Sequence, residues 1–289
     1  MAIGVKNIKN MWLVIKNSAW LGWQLEANWA EPFSFIIFSM IRPLSSILII
    51  TFMFRFALGE RFSDEMFNFF FIGNVLYLYV YNILFGVSQV VFEDREHYEV
   101  IKYIYISPVN WYVYFMGRGL ARFIIATISV AVSIVFGMFF LPLKISIIPA
   151  AILPLAASFF LGVFSVFSLG IIMCSLTLVM ARHGNMMAES VSGIFFIACG
   201  TIFPIKTLPE SVQALAVNIP ISYWFEITRR LLQGVACSSD TVWLGRTTGS
   251  LFYSLSISTI VLFFASILTF AYLSALARSK GIIDRTTSY

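Results

Sequence analysis

Long apolar runs separated by short polar segments fill this chain. An apolar helix needs roughly 20 residues, at about 1.5 Å each, to cross about 30 Å of hydrocarbon. Six stretches answer that pattern: about 33–57, 67–92, 112–141, 149–180, 187–203 and 251–277. No alternation with a period of two runs through them, so they predict helices rather than barrel strands, and lipid leaves the backbone no other partner than itself. Ahead of the first run, over roughly 6–29, Ile8, Trp12, Ile15, Trp20 and Trp23 recur at near-helical spacing, with Lys6, Lys9 and Lys16 on another face. That pattern predicts an amphipathic helix in the interface plane, with Trp12, Trp20, Trp23 and Trp29 in the headgroup belt. Glu31-Pro32 ends it, because proline suits a first helical turn. The expected fold is an all-α membrane protein: an interfacial helix over 1–32, then a six-span domain over 33–289.

Composition sharpens this picture. Of 289 residues, 60% are apolar and 11% charged, with mean hydropathy +0.88. Soluble domains run near 45–50% and about 25%, so a soluble enzyme is excluded. The net charge of +5 and the pI of about 9.1 come without a Lys/Arg cluster on a polar surface, so nucleic acid is not a partner. Six spans place both termini on one side. If that side is cytoplasmic, eleven basic residues fall in inner segments and six in outer ones, with Arg42 and Arg55 inside the first span. This bias predicts a multi-pass protein of the cell (inner or plasma) membrane with both ends inside. Residues 1–32 carry no unbroken apolar core and no small-residue cleavage site, so no cleavable signal is expected. Cys174, Cys199 and Cys237 lie far apart and match no metal-ligand spacing; they are expected to be small packing residues.

Some polar side chains fall inside the apolar runs, where they are costly. Arg42 stands beside Pro43. Asn74, Tyr77, Tyr81 and Ser88 share one face of the second run, and Glu189 sits in the fifth. Ser250, Ser254 and Ser258 repeat every four residues in the last. Helix packing through small and polar groups accounts for such stripes, and so does a path lining; Arg42, Asn74, Tyr77, Tyr81 and Glu189 are the path candidates.

Two further segments stand out. The first is the densest charge cluster in the chain, Glu93-Asp94-Arg95-Glu96-His97-Tyr98-Glu99. It runs into an amphipathic stretch over 100–106 that predicts a short interfacial helix, broken by Ser107-Pro108. A charged head on an aromatic body suits docking to another protein. The second follows the short fifth run: Phe203-Pro204, Leu208-Pro209, Ile219-Pro220 and Arg229-Arg230 punctuate a semi-apolar stretch. Interrupted helices at membrane depth are tolerated only where protein or water covers them, and they often mark a translocation path.

With these motifs in place, the chain resembles the membrane (permease) subunit of type-2 ABC exporters, which move drugs, lipids and cell-surface polysaccharides. The family's acidic-basic run, amphipathic helix and Ser-Pro are matched by Glu93 to Glu99 and Ser107-Pro108. Its pattern around the fifth span is matched by Cys199-Gly200, Phe203-Pro204, Leu208-Pro209, Gln213, Pro220 and Arg229. One departure is Glu99-Val100, where the family often has Gly-Thr. The resemblance implies a chain without its own nucleotide site, consistent with the lack of a G-x-x-x-x-G-K-[ST] loop. ATP and Mg would belong to a separate ABC ATPase subunit, with no cofactor or metal on this chain. Glu93, Asp94, Arg95, Glu96, His97, Tyr98 and Glu99 would head the coupling helix, about 93–107, that docks on that subunit. A second copy of the permease, or a related one, would complete the path. Short re-entrant helices over about 204–234 would cap the exit, with Phe203, Pro204, Leu208 and Pro209 as an extracellular gate. Substrate remains a drug, a lipid or a lipid-linked polysaccharide. An ion-coupled secondary transporter and a non-transporting sensor or scaffold are the alternatives.

Overall fold

The computed structural model describes residues 2–27, 32–59, 64–141, 143, 149–180, 184–233 and 246–282. Among them helices account for nearly all regular structure and no strand occurs. The chain opens with α1 (Ala2–Ala27) and α2 (Pro32–Leu58), the latter carrying Pro43 in its interior. Then come α3 (Asp64–Val80), a π-helical turn (Tyr81–Phe85), α4 (Gly86–Phe92) and a second π-helical turn (Glu93–His97). These four pieces form one continuous rod over Glu65–His97. A short α5 (Ile101–Ile106) leads to α6 (Trp111–Phe140), which Asn110 caps by accepting from the Tyr112 N–H at 3.0 Å. After α6 follow α7 (Ile152–Val179), α8 (Gly184–Ala198), α9 (Glu210–Ala216), α10 (Pro220–Gln233) and α11 (Thr248–Ser279).

Among the described residues four helices are long and apolar enough to cross a bilayer: Glu65–His97, Trp111–Phe140, Ile152–Val179 and Thr248–Ser279. The expected first and fifth runs are helical too, as α2 and α8, but their clearly apolar stretches are shorter, Pro43–Met53 and Met186–Ala198. Thus the protein is a multi-pass helical membrane protein in which four crossings stand on length alone.

The Glu65–His97 rod is the centre of the bundle. Val80, Ile83, Leu84, Val87, Val90 and Val91 have no exposure at all. Around it α7 packs along α4, α10 and α11, while α6 lies against α1, α2 and α3. Burial of that depth needs neighbours on every side, which explains why a rod of such length carries so little amphipathic signal.

The N-terminal helix turns a different face to the bundle than apolar spacing alone implies. Its packed side is made of small residues, Ser18 and Gly22, whereas Trp12 and Trp20 are 64% and 62% exposed. On α6 the matching residue is Gly117: a Cβ there would lie 2.7 Å from Ser18 Cβ and 2.8 Å from the Ile15 carbonyl oxygen. Close backbone approach through small residues is how helices associate where lipid removes the hydrophobic drive. The serine stripe of the last span is not its packed face. Leu251, Leu255 and Thr259 face the protein, while Ser250 and Ser258 donate to their own helix backbone.

Overpacking that seam tests the arrangement. Gly117→Val is expected to destabilise the protein by about 1–3 kcal/mol and to expose α1 to protease while leaving the rest of the bundle intact. Limited proteolysis and thermal unfolding in detergent read both effects; wild-type digestion kinetics would show that the seam bears no load.

Candidate functional site

A polar cavity of about 570 Å³ opens beside the central rod. Its wall comes from α1 (Glu26), α2 (Pro43, Ser46), the rod (Asn74, Tyr77, Leu78, Tyr81, Asn82), α6 (Arg122, Ile125, Ser129) and α8 (Glu189, Ser192, Gly193, Phe196). Four of the five path candidates, Asn74, Tyr77, Tyr81 and Glu189, therefore meet on one surface. The fifth, Arg42, stands on α2 beside Pro43, and its side chain lies outside the described residues. The π-helical turn at Tyr81–Phe85 widens the rod where it borders the cavity, and such turns recur at functional sites. Tyr77 donates from its hydroxyl to the Ser192 carbonyl oxygen at 2.8 Å and meets the Phe196 ring at a tilt of 55° with centroids 4.6 Å apart. Asn74 donates to Ser46 at 3.2 Å. Hence the stripe both joins α2, the rod and α8 and lines the space between them.

At one end the cavity wall merges with a charge network. Arg122 pairs with Glu26 of α1 and, at 2.9 Å, with Glu93. One turn away on α6, Arg118 reaches Asp94 at 3.3 Å and Glu93 at 3.6 Å. The Tyr114 hydroxyl donates to the second Asp94 oxygen at 2.8 Å. Arg118 and Asp94 side chains have no exposure. Charges so placed must be paired, since removal of one partner from a buried pair costs about 3–5 kcal/mol. The network spans α1, α6 and the end of the rod, and its members Glu26 and Arg122 also wall the cavity.

The charged run thus divides between two environments. Glu93 and Asp94 turn inward to the α6 arginines, and Arg95 pairs with Glu96 at 3.3 Å with both side chains withdrawn from solvent. His97 and Glu99 are exposed, and Tyr98 is half-buried. Of the seven residues expected to dock, only His97 and Glu99 are exposed, beside the exposed Tyr103, Tyr105 and Ile106 of α5. Glu99 holds φ at 51°, a left-handed conformation that favours glycine. This single residue makes the elbow between the rod and α5, with the Val100 N–H closing on the Asp94 carbonyl oxygen at 2.9 Å.

At the other end of the bundle the proline-rich segment forms a compact cap. Gln213 donates to the carbonyl oxygens of Lys206 and Leu208, at 3.1 and 2.6 Å, and so braces the turn carrying Pro204, Leu208 and Pro209. Phe203 is 45% exposed on that turn. Pro220 opens α10, a helix with Glu226, Arg229 and Arg230 all buried. Arg230 pairs with Glu226 at 2.7 Å. Arg229 donates to the Phe69 and Thr201 carbonyl oxygens, at 3.2 and 3.1 Å, and lies over the Phe69 ring at 3.6 Å. It passes through a slot that exists because Gly73 has no side chain; any Cβ there would collide with the guanidinium and with Thr201.

Glu26, Arg118, Arg122 and the clasp of Arg229 were not singled out by pattern. Two arginines one turn apart inside an apolar 30-residue helix were the available signal, because lipid does not tolerate them unpaired. Cys174 and Cys199 are buried and free; Cys237 lies outside the described residues.

Helices of lipid length thus surround a polar cavity, and the ion pairs Arg118–Asp94 and Arg230–Glu226 are buried within the bundle. Residues 18–233 match the family model of the ABC-2 type transporter, about three quarters of the chain, and the protein belongs to that family as a permease subunit. No curated protein matches the chain at a significant level.

Two predictions follow from the network. Arg118→Leu is expected to lower stability by about 3–5 kcal/mol, because Asp94 is left as an uncompensated buried charge; Asp94→Asn in the same chain should recover much of the loss in a thermal-shift assay. The second concerns Glu26, on a helix outside the four long spans. Burial pushes its carboxyl up to about 7, opposed in part by Arg122. The folded protein therefore holds this proton where the unfolded chain, titrating near 4.5, has released it. Its contribution to stability is complete below that lower value and is lost as pH rises towards about 7. Glu26→Gln should flatten the fall of Tm across this window; an unchanged slope would assign it to other groups.

Proposed function

We propose that this chain is the permease of an ATP-driven ABC exporter, with the polar cavity as its substrate path and ATP and Mg held by a separate ABC ATPase subunit. Membership of the ABC-2 family supports the ATPase partner. The observation that carries the reading is that Glu26 and Arg122 belong at once to the cavity wall and to the charge network ending at the Glu93–His97 turn. A push on α5 from the ATPase turns the elbow at Glu99, moves Glu93 and Asp94 against Arg118 and Arg122, and so reaches α6, α1 and the cavity. His97, Glu99, Tyr103 and Ile106 give the docking surface its exposed charge and its apolar contact, and complementary charge sets register there. In this reading the network and α5 lie on the cytoplasmic side of the inner or plasma membrane, with both termini, and α1 lies in the interface with its exposed tryptophans at headgroup level.

The braced turn carrying Phe203, Pro204, Leu208 and Pro209 acts as the outer gate, and α9 and α10 are the re-entrant cap. A second copy of the chain, or a related permease, completes the path. Drugs, lipids and lipid-linked polysaccharides are the substrate classes: tyrosine rings offer flat apolar faces, and the asparagines, serines and Glu189 offer hydrogen bonds.

Reconstitution with the ATPase subunit in proteoliposomes tests this. Arg122→Gln should leave the ATPase bound but lower transport per ATP hydrolysed at least tenfold, whereas Glu99→Lys with Tyr103→Ala should reduce ATPase co-purification. Phe203→Ala should alter basal ATP turnover in an intact complex. Full transport by the permease without any ATPase would overturn the reading.

A further inference from the structure

Two cavities border the central rod. One, of about 470 Å³ beside α6, α7 and α10, is almost wholly apolar, and its wall carries no charged residue. The polar cavity of about 570 Å³ differs, and its size falls within the roughly 300–1,000 Å³ of ligand cavities. Three charged residues stand in its wall, Glu26, Arg122 and Glu189. Arg122 is already shared between Glu26 and Glu93. Glu189 is exposed, and among the described residues its carboxylate has no ion pair and no hydrogen-bond donor. It is the one charged residue of the apolar stretch Met186–Ala198. An ionisable group in such a stretch is costly and as a rule faces a cavity or an opposite charge.

What shares the cavity with that carboxylate is aromatic. Glu189, Ser192, Gly193 and Phe196 recur at helical spacing and turn one face of α8 to the cavity. A Cβ added at Gly193 would meet nothing within 4 Å, so the space before that face is open. The Phe196, Tyr77 and Tyr81 rings follow one another at 4.6 and 6.5 Å between centroids. Aromatic faces attract a cation through the ring quadrupole, more strongly where water is thinned out, and a carboxylate adds a full opposite charge. An anion finds the reverse: the arginine that would receive it is taken, and Glu189 repels it. We propose that the cargo of this cavity is a small organic cation, an amine or quaternary ammonium on an apolar body, held between Glu189 and the rings of Tyr77, Tyr81 and Phe196. Leu78 and Ile125 of the same wall give the body its apolar contact. The claim rests on the polar cavity being the substrate path, and it narrows the substrate classes by charge: an anionic lipid or polysaccharide carrier is disfavoured there.

The test uses two probes of the same shape and opposite charge, tetraphenylphosphonium and tetraphenylborate. Their binding to the purified full chain in an uncharged detergent is measured by equilibrium dialysis, with detergent alone as the blank. The expected result is saturable binding of the phosphonium, about tenfold or more tighter than that of the borate. Glu189→Gln should remove most of this preference and Glu189→Asp should keep it, a pattern that a purely structural glutamate would not give. Tyr81→Leu should weaken the phosphonium roughly two- to tenfold; Phe196→Leu does the same from α8 and serves if the first variant does not fold. Equal binding of the two probes, or a preference that survives Glu189→Gln, would overturn the proposal. A separate arm reads the path itself. Gly193→Cys, in a Cys237→Ser background and reconstituted with the ATPase subunit, is labelled from either side of the membrane with an impermeant maleimide. Accessibility that changes sides with ATP, together with equal binding of the probes, leaves the path standing and overturns the charge claim alone. Accessibility that ATP does not change sinks the path, and the bound cation is then no cargo.

Discussion

Two arginines inside an apolar helix cannot be left without carboxylates, and much of the molecule is arranged to supply them. Arg118 and Arg122 sit one turn apart on α6. The partners they require come from the end of the central rod, Glu93 and Asp94, and from the N-terminal helix α1, Glu26. This requirement joins three elements that are far apart in sequence. It also accounts for the shape of the charged run: the Glu93–His97 π-helical turn brings Glu93 and Asp94 against α6, and the chain must then reverse sharply, which it does at Glu99 with φ 51°. The conformational cost of a non-glycine residue there is carried by the surrounding pairs.

The two ends of the bundle solve the same problem by different means. Near the network, opposite charges pair across helices. At the cap, two backbone carbonyl oxygens and an aromatic face hold Arg229, reached through the gap at Gly73. Carbonyl oxygens have two lone pairs each, so one already bonded within a helix can accept a second hydrogen bond from a guanidinium. The cap is thereby fixed to the rod and to the turn after α8 simultaneously. The polar cavity adjoins the network end and the apolar one adjoins the cap, walled by different residues of the rod and of opposite chemistry.

Residue pattern alone established a good deal. Apolar runs of lipid length, few charges and no alternation fixed an all-helical membrane protein, because lipid admits no other backbone solution. The order of the charged run, Ser107-Pro108, Phe203-Pro204, Leu208-Pro209 and Arg229 identified the family, and the shared face of Asn74, Tyr77 and Tyr81 marked the cavity. Three things needed the tertiary structure. The number of helices long enough to cross stands at four among the described residues, since whether a short apolar run crosses depends on what covers its ends. The inward turn of Asp94 and Arg95 was hidden because charge in a loop and charge in a buried pair look alike until the opposing helix is in place. The packing of α1 through Ser18 and Gly22, with Trp12 and Trp20 outward, was also hidden, since small residues give no hydropathy signal and their value lies wholly in the backbone they let approach. Transfer free energy is a property of each residue and can be read along a chain; pairing and close approach are properties of two surfaces and exist only once both are present.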